Sequence, residues 1–187
     1  MATSEETNGN ERELVNGLDV SQLTTIVGAV KAQPDLGKTM WRARTQWKGG
    51  FQSEAEIRGF KIQMDEPPDL AGTNTAPNMV EMVLGAYGCC LQTGYAMNAA
   101  VMGIEIQKMD IELEGDIDLP GFFGLESPDD VWPGFTTVRA KVFLKAPGAT
   151  AGQLEELHRR VTSTSPVGST LARPVKVETT LVTRRVA

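Results

Sequence analysis

Residues 79–102 read MVEMVLGAYGCCLQTGYAMNAAVM. The run has the length of a long helix. Small residues (Gly85, Ala86, Gly88, Gly94, Ala96, Ala99 and Ala100) are spread around it, and Glu81 and Gln92 are among its few strongly polar side chains. A helix that is small or apolar nearly all round is buried, at the centre of a domain or in an interface. This stretch therefore predicts a buried central helix about which the rest of the chain is arranged.

Ahead of the helix, residues 39–48 (TMWRARTQWK) alternate as a strand does, Gly49-Gly50 makes a turn, and residues 51–57 (FQSEAEI) return. Arg58-Gly59 turns again into residues 60–64 (FKIQM). These features predict an antiparallel meander, joined to the helix by the Pro-, Gly- and Asn-rich loop DEPPDLAGTNTAPN. Behind the helix, residues 104–116 (IEIQKMDIELEGD) alternate as a strand. A long loop precedes a second strand at 135–145 (FTTVRAKVFLK), a helix at 151–162 carries Leu154, Leu157 and Val161 on one face, and a closing strand is predicted at 174–184. The order is strands, buried helix, strands, helix, strand: an α+β fold with antiparallel sheet and no repeated βαβ unit.

Residues 1–17 predict a disordered leader, because Glu5, Glu6, Glu11 and Glu13 leave little to bury. Residues 18–37 predict a helical arm, with Asp19 as its N-cap, an apolar stripe of Val20, Leu23, Val27 and Val30, and a stop at Pro34. That stripe packs on the outside of the fold or on a partner subunit. The main domain spans 38–187.

With 187 residues, 41% hydrophobic and 22% charged, the chain is of ordinary globular composition. Eighteen Lys and Arg against 24 Asp and Glu give a net charge of −6. That disfavours nucleic acid as a main partner, since phosphate binding needs clustered cations. No apolar run approaches the roughly 18 residues of a membrane span. The polar, acidic start resembles neither a signal nor a transit peptide. A single histidine, His158, leaves no multi-His metal site. Two adjacent cysteines, Cys89 and Cys90, make no disulfide scaffold and predict a reducing, cytoplasmic setting.

Successive helical residues point about 100° apart, so the two sulfurs face different surroundings. Cys90 lies on a stripe with Val83, Tyr87, Met97 and Val101, and Cys89 on one with Met82, Ala86, Thr93, Ala96 and Ala100. A disulfide between them would not fit a regular helix. Two readings stand: inert cysteines packed as small hydrophobes, or a redox thiol, which needs thiolate character and substrate access. His158 reads as a partly exposed helical residue, Arg159-Arg160 as a solvated face, and Asp65-Glu66 and Asp129-Asp130 as loop charge. Phe122, Phe123, Trp132 and Phe135 border the long loop, either anchoring it to the core or forming the lip of an apolar pocket.

Four stretches in order resemble the OsmC/Ohr family of thiol-dependent organic hydroperoxide reductases: GTNTAPNMVEMVLGAYGCCLQTGYAMNAAVMGIEI, the strand ending EGDID, the loop closing WPGF, and TSPVGSTLARPVKV. The resemblance covers about residues 39–183. It implies an intertwined homodimer with shared antiparallel sheets around two long buried central helices. It also implies a peroxidatic thiolate on the central helix and a resolving cysteine at the end of the later helix, with a dithiol reductant and no bound cofactor. Cys90 matches the peroxidatic position; a register shifted by one would give it to Cys89. The resolving position holds Ser165, in Ser165-Pro166-Val167, which cannot form a disulfide, so an external thiol would have to resolve the cycle.

The family's activating Arg in the first β-turn is absent, and Lys48 is the nearest cation there. The family's Glu ten residues before the cysteine falls on Val80, with the acid displaced to Glu81. Along a straight helix Glu81 lies ~13 Å from Cys90, so it would act across a kink or a dimer, or else serve the helix N-terminus as a first-turn acid. The resemblance thus implies reduction of organic hydroperoxides through Cys90, with Phe122, Phe123, Trp132 and Phe135 around an apolar substrate. The alternative is a non-enzymatic dimer of the same fold that binds a small apolar ligand.

Overall fold

The computed structural model describes residues 14–183. Its longest helix, α2 (Met79–Val101), starts at the residue expected from the sequence, and the structure shows a cap there. The Asn78 side chain accepts from the Glu81 N–H, and the Glu81 carboxylate accepts from the Asn78 N–H, each at 2.8 Å. This reciprocal pair satisfies two of the helix's orphan donors. The helix ends as Gly103 turns with φ of +67° and Ile104 N–H reaches back to the Ala99 carbonyl. Leu91, Tyr95 and Ala99 form the buried side of α2 and meet Leu157 and Val161 of α4 (Ala151–Thr164), with Ile104 and Ala146 closing the cluster. Glycines let these elements approach: a Cβ on Gly94 would lie 3.0 Å from Val161 Cγ1, and one on Gly88 2.8 Å from Leu113.

Strands β6 (Lys108–Ile117) and β7 (Phe135–Lys145) form an antiparallel pair in register from Lys108↔Lys145 to Asp116↔Thr137. Met109, Ile111 and Leu113 point inward and the charged residues between them point out, as strand alternation requires. The meander is present as β3 (Arg44–Gly49), β4 (Gln52–Ile57) and β5 (Phe60–Met64), antiparallel in sequence order. Its turns use Gly49 and Gly50, then Arg58 and Gly59, all with positive φ. A short helix, α3 (Leu119–Phe122), interrupts the long loop, and α5 (Pro166–Ala172) follows α4 directly. The α+β class and the antiparallel sheets are therefore as the sequence predicts, while two strand starts, expected at 39 and 104, fall at Arg44 and Lys108.

The leader expected over residues 1–17 extends beyond the described residues as far as 13. Residues 14–17, however, are built into a hairpin of β1 (Leu14–Val15) and β2 (Leu18–Asp19). Asn16, at φ of +54°, takes the turn; its amide donates to the Ile104 carbonyl and its oxygen accepts from the Ile106 N–H. One asparagine thus mimics a strand partner and pins the arm to the exit of α2. The arm helix α1 (Val20–Ala32) follows with Asp19 as its cap, and none of its residues is buried.

Further expectations meet the structure differently. The closing strand at 174–184 does not form over its described residues: Val175, Val177, Leu181 and Val182 are exposed and belong to no sheet. Alternation assigns faces, but a strand also needs a neighbouring edge to pair with, and among the described residues the segment pairs with none. The helix α2, expected to be buried at a domain centre or in an interface, is covered on one side only within one chain: Met79, Val83, Met97 and Val101 are exposed, with Ala86, Cys89 and Thr93 between them. They form a continuous uncovered apolar stripe.

Asp65 and Glu66 are not solvated loop charge either. Asp65 is 1% exposed, and its carboxylate accepts from the Glu66 N–H and from both the backbone and the hydroxyl of Thr73 and of Thr75. Glu66 accepts from the Asn78 side chain. The loop entering α2 is wound around these two carboxylates. Gly72 admits the winding, since a Cβ there would sit 1.8 Å from the Glu66 carbonyl oxygen.

Candidate functional site

Cys90 projects from the middle of α2 into a cleft of about 210 Å³ between α2, α4 and α5. Its half-buried sulfur lies 3.4 Å from Ser165 Oγ, although the residues are 75 apart in sequence. Ser165, 5% exposed, is the joint between two helices: α4 ends before it and Pro166 opens α5 after it. A serine there caps the second helix, and its Oγ accepts from the Gly168 N–H at 3.1 Å. Gly168 is packed so closely on Tyr87, one turn before Cys90, that a Cβ would fall 2.9 Å from the ring. The thiol predicted as peroxidatic and the serine predicted in the resolving place are thus brought together. Cys89 is exposed on the uncovered stripe and does not line this cleft.

The other expected site residues are dispersed. Lys48 stands on β3, 3.5 Å from the Glu54 carboxylate and hydrogen-bonded to Gln46, and does not line the Cys90 cleft. The Glu54 carboxyl is held below its usual value, chiefly by Gln63, then by Lys61, with Lys48 a smaller contributor. Glu81 is engaged in the Asn78 capping box, its role as a first-turn acid. Phe122 and Phe123 pack on each other, both exposed, and line neither cleft nor groove.

Trp132 and Phe135 do come together. They border an open, mainly apolar groove of about 580 Å³ with Val80, Val83, Tyr87 and Leu171. Phe135 reaches it by crossing Gly115, where a Cβ would lie 2.4 Å from the ring. Tyr87 and α5, which sequence reasoning did not single out, separate this groove from the Cys90 cleft. The signals for them are Tyr87's place on the Cys90 stripe and the family-like stretch TSPVGSTLARPVKV, which holds α5. His158 is an exposed helical residue as expected, but its Nδ1 also pairs with the hydroxyl of buried Tyr95. Burial raises the Tyr95 phenol's pKa above its usual value, with a smaller contribution from Tyr87.

Among the described residues, no three His, Cys, Asp or Glu side chains are grouped to hold a metal ion. No helix among them is long and apolar enough to cross a membrane. Chemically, the arrangement offers a single sulfur nucleophile at the mouth of a small cleft. A buried hydroxyl touches it, and an apolar groove lies one helical turn away.

Comparison with solved structures gives the same fold. An OsmC-like protein from Mycoplasma pneumoniae matches with a TM-score of 0.61 at 16% identity, over 72% of this chain and 89% of that one. An OsmC-like protein of unknown function from Vibrio cholerae matches at 0.55 and 14%, over 71% and 94%. An organic hydroperoxide resistance protein OsmC from Legionella pneumophila matches at 0.52 and 18%, over 72% and 91%. No curated protein matches the sequence. The family model described as OsmC-like protein matches residues 72–180, more than half of the chain, a span that holds α2, both cysteines, the groove aromatics and Ser165. This chain belongs to the OsmC-like protein family.

Proposed function

We propose that the chain is a thiol-dependent peroxidase acting on organic hydroperoxides, with Cys90 as its nucleophile. The observation that carries the reading is the placement of Cys90: a half-buried sulfur opening on a cleft and touching the end of the later helix. The Cys90 thiolate attacks the terminal oxygen of ROOH. The O–O bond breaks, the alkoxide takes a proton to leave as ROH, and the sulfur is oxidised to sulfenic acid. Ser165 has no sulfur to continue the cycle. An external thiol R′SH therefore condenses with the sulfenic acid, releasing water and forming a mixed disulfide. A second R′SH displaces R′SSR′ and restores the thiol. The groove with Trp132 and Phe135 suits the alkyl part of the peroxide.

The functional unit in this reading is a homodimer in the cytoplasm, without bound cofactor. Lys48, which lies away from Cys90 within one chain, serves as activating cation only across that dimer. The test is consumption of cumene hydroperoxide and hydrogen peroxide with several thiol reductants, for the parent and for Cys90→Ser. Thiol-dependent turnover lost in Cys90→Ser supports the reading; equal consumption by both overturns it. One observation favours a second reading: serine in the resolving place with an intact apolar groove fits a non-enzymatic binder of a small apolar ligand. Ligand binding without turnover would select it.

A further inference from the structure

We propose that Ser165 is the hydrogen-bond donor that holds Cys90 in its thiolate form, so that serine at this position activates the sulfur. The inference rests on Cys90 being the nucleophile and concerns what the same cleft does to it. Three hydroxyls face the cleft. Thr93 Oγ1 donates to the Cys89 carbonyl at 3.0 Å, and Thr164 Oγ1 to the Arg160 carbonyl at 2.7 Å, each within its own helix. Ser165 Oγ differs: it accepts from the Gly168 N–H, which leaves its proton free to face the sulfur 3.4 Å away. A hydroxyl that accepts one bond donates the next more strongly.

The contact favours the anion. A thiol is a weak donor and a weak acceptor, whereas a thiolate is a charged acceptor whose hydrogen bonds are stronger. The remaining cleft residues (Gly94 and Met97 of α2, Val161 of α4, Pro166 of α5) bring no charge and no ionisable group. Within this chain the Ser165 hydroxyl is therefore the cleft's means of stabilising the thiolate. Its burial keeps water from competing for the same proton.

The test follows the rate of Cys90 alkylation by iodoacetamide against pH, read by mass mapping in a Cys89→Ser background. It compares Ser165 with Ser165→Gly, Ser165→Ala and Ser165→Thr. Glycine is well tolerated at a helix N-cap, so the Gly variant removes the hydroxyl while sparing α5. The expected result is a midpoint raised by about one pH unit in Gly and Ala, the scale of a lost charge-assisted bond, and restored in Thr. A midpoint unchanged in Gly and Ala, or shifted equally in Thr, overturns the proposal. Peroxide consumption by the parent keeps the two readings apart. A midpoint shift without turnover retains the hydrogen bond and removes the peroxidase; turnover without a shift does the reverse.

Discussion

Cys89 and Cys90 are neighbours in sequence but stand in different environments: Cys90 is half buried against Ser165, and Cys89 is exposed on the uncovered stripe of α2. The turn of the helix between successive residues separates them. A second copy on that stripe would cover Cys89; the Cys90 cleft shares Thr93 and Met97 with the stripe, but its α4 and α5 walls lie off it, so Cys90 is expected to stay the more accessible thiol. Limited alkylation at neutral pH, mapped by mass, is expected to label Cys90 first in the native protein and Cys89 only on dissociation. Rapid labelling of Cys89 in the native state would show the stripe to be open to solvent.

The same stripe predicts the assembly. Val83, Met97 and Val101 are exposed along α2, and Trp41, Trp47 and Phe60 lie uncovered on or beside the meander. Soluble proteins rarely leave contiguous apolar surface of this kind in water. A homodimer burying more than ~2,000 Å², the range of obligate interfaces, is the expected state. Sedimentation that finds a stable monomer at micromolar concentration would reject it.

What the sequence discloses is local. The start of α2 is legible because a small and apolar run begins at Met79 directly after a loop rich in Pro, Gly and Asn, and the meander because glycines mark its turns. The segment at 174–184 misleads because alternation carries no information about a pairing edge. Asp65 and Glu66 mislead for a different reason: their partners, Thr73 and Thr75, arrive only after the loop folds back at Gly72. At the site, the meeting of Cys90 with Ser165 comes from the family pattern, which places the end of the later helix beside the central one. Ser165's bond to Gly168 and the groove at Tyr87 depend on how α5 packs, and no motif announces that.

Asp65 gives a pH prediction. Hydrogen bonds, first from the Thr73 hydroxyl and then from Thr75 and Glu66, hold its carboxyl well below the usual carboxylate range against the opposing effect of burial. A group whose native pKa is depressed stabilises the fold above its unfolded value, ~3.9, and that contribution is lost as pH falls through the native value. Asp65→Asn removes the charge and turns an acceptor into a donor facing other donors. The variant should melt below the parent at pH 7, with the difference narrowing below about pH 4. Thermal melts across pH 7 to 3 measure this; parallel curves for the two proteins would refute it.

The packing that carries the site is testable at Leu157, which is fully buried between α4 and α2. Leu157→Ala leaves a cavity there and is expected to cost about 2–5 kcal/mol. Denaturant unfolding checks it. A cost below about 1 kcal/mol would mean that the α2–α4 contact is not the core of the fold.

The oxidation chemistry of Cys90 gives the last prediction. With an oxygen at Ser165, the oxidised sulfur has no thiol beside it. Cys89 is held on another face, and reaching it would require unwinding α2. Treatment with an organic hydroperoxide should therefore add one oxygen to the protein, and a second when peroxide is in excess, as sulfenic acid advances to sulfinic. Ser165→Cys changes the outcome. The side chains at 90 and 165 already point at each other across 3.4 Å, and a disulfide requires closing that gap to about 2 Å. The sulfenic acid at Cys90 would then condense with the new thiol, releasing water. The intact mass should fall by two hydrogens, and a single-turnover burst should no longer need added thiol to resolve. The cap on α5 weakens in this variant because sulfur accepts the Gly168 N–H poorly, a change local to the helix start. Intact-mass analysis after peroxide separates the outcomes. A parent protein that loses two hydrogens would have paired Cys89 with Cys90, and α2 would then have to be irregular at that point. A Ser165→Cys protein that only gains oxygen would place the end of α4 too far from Cys90 for the cleft described above.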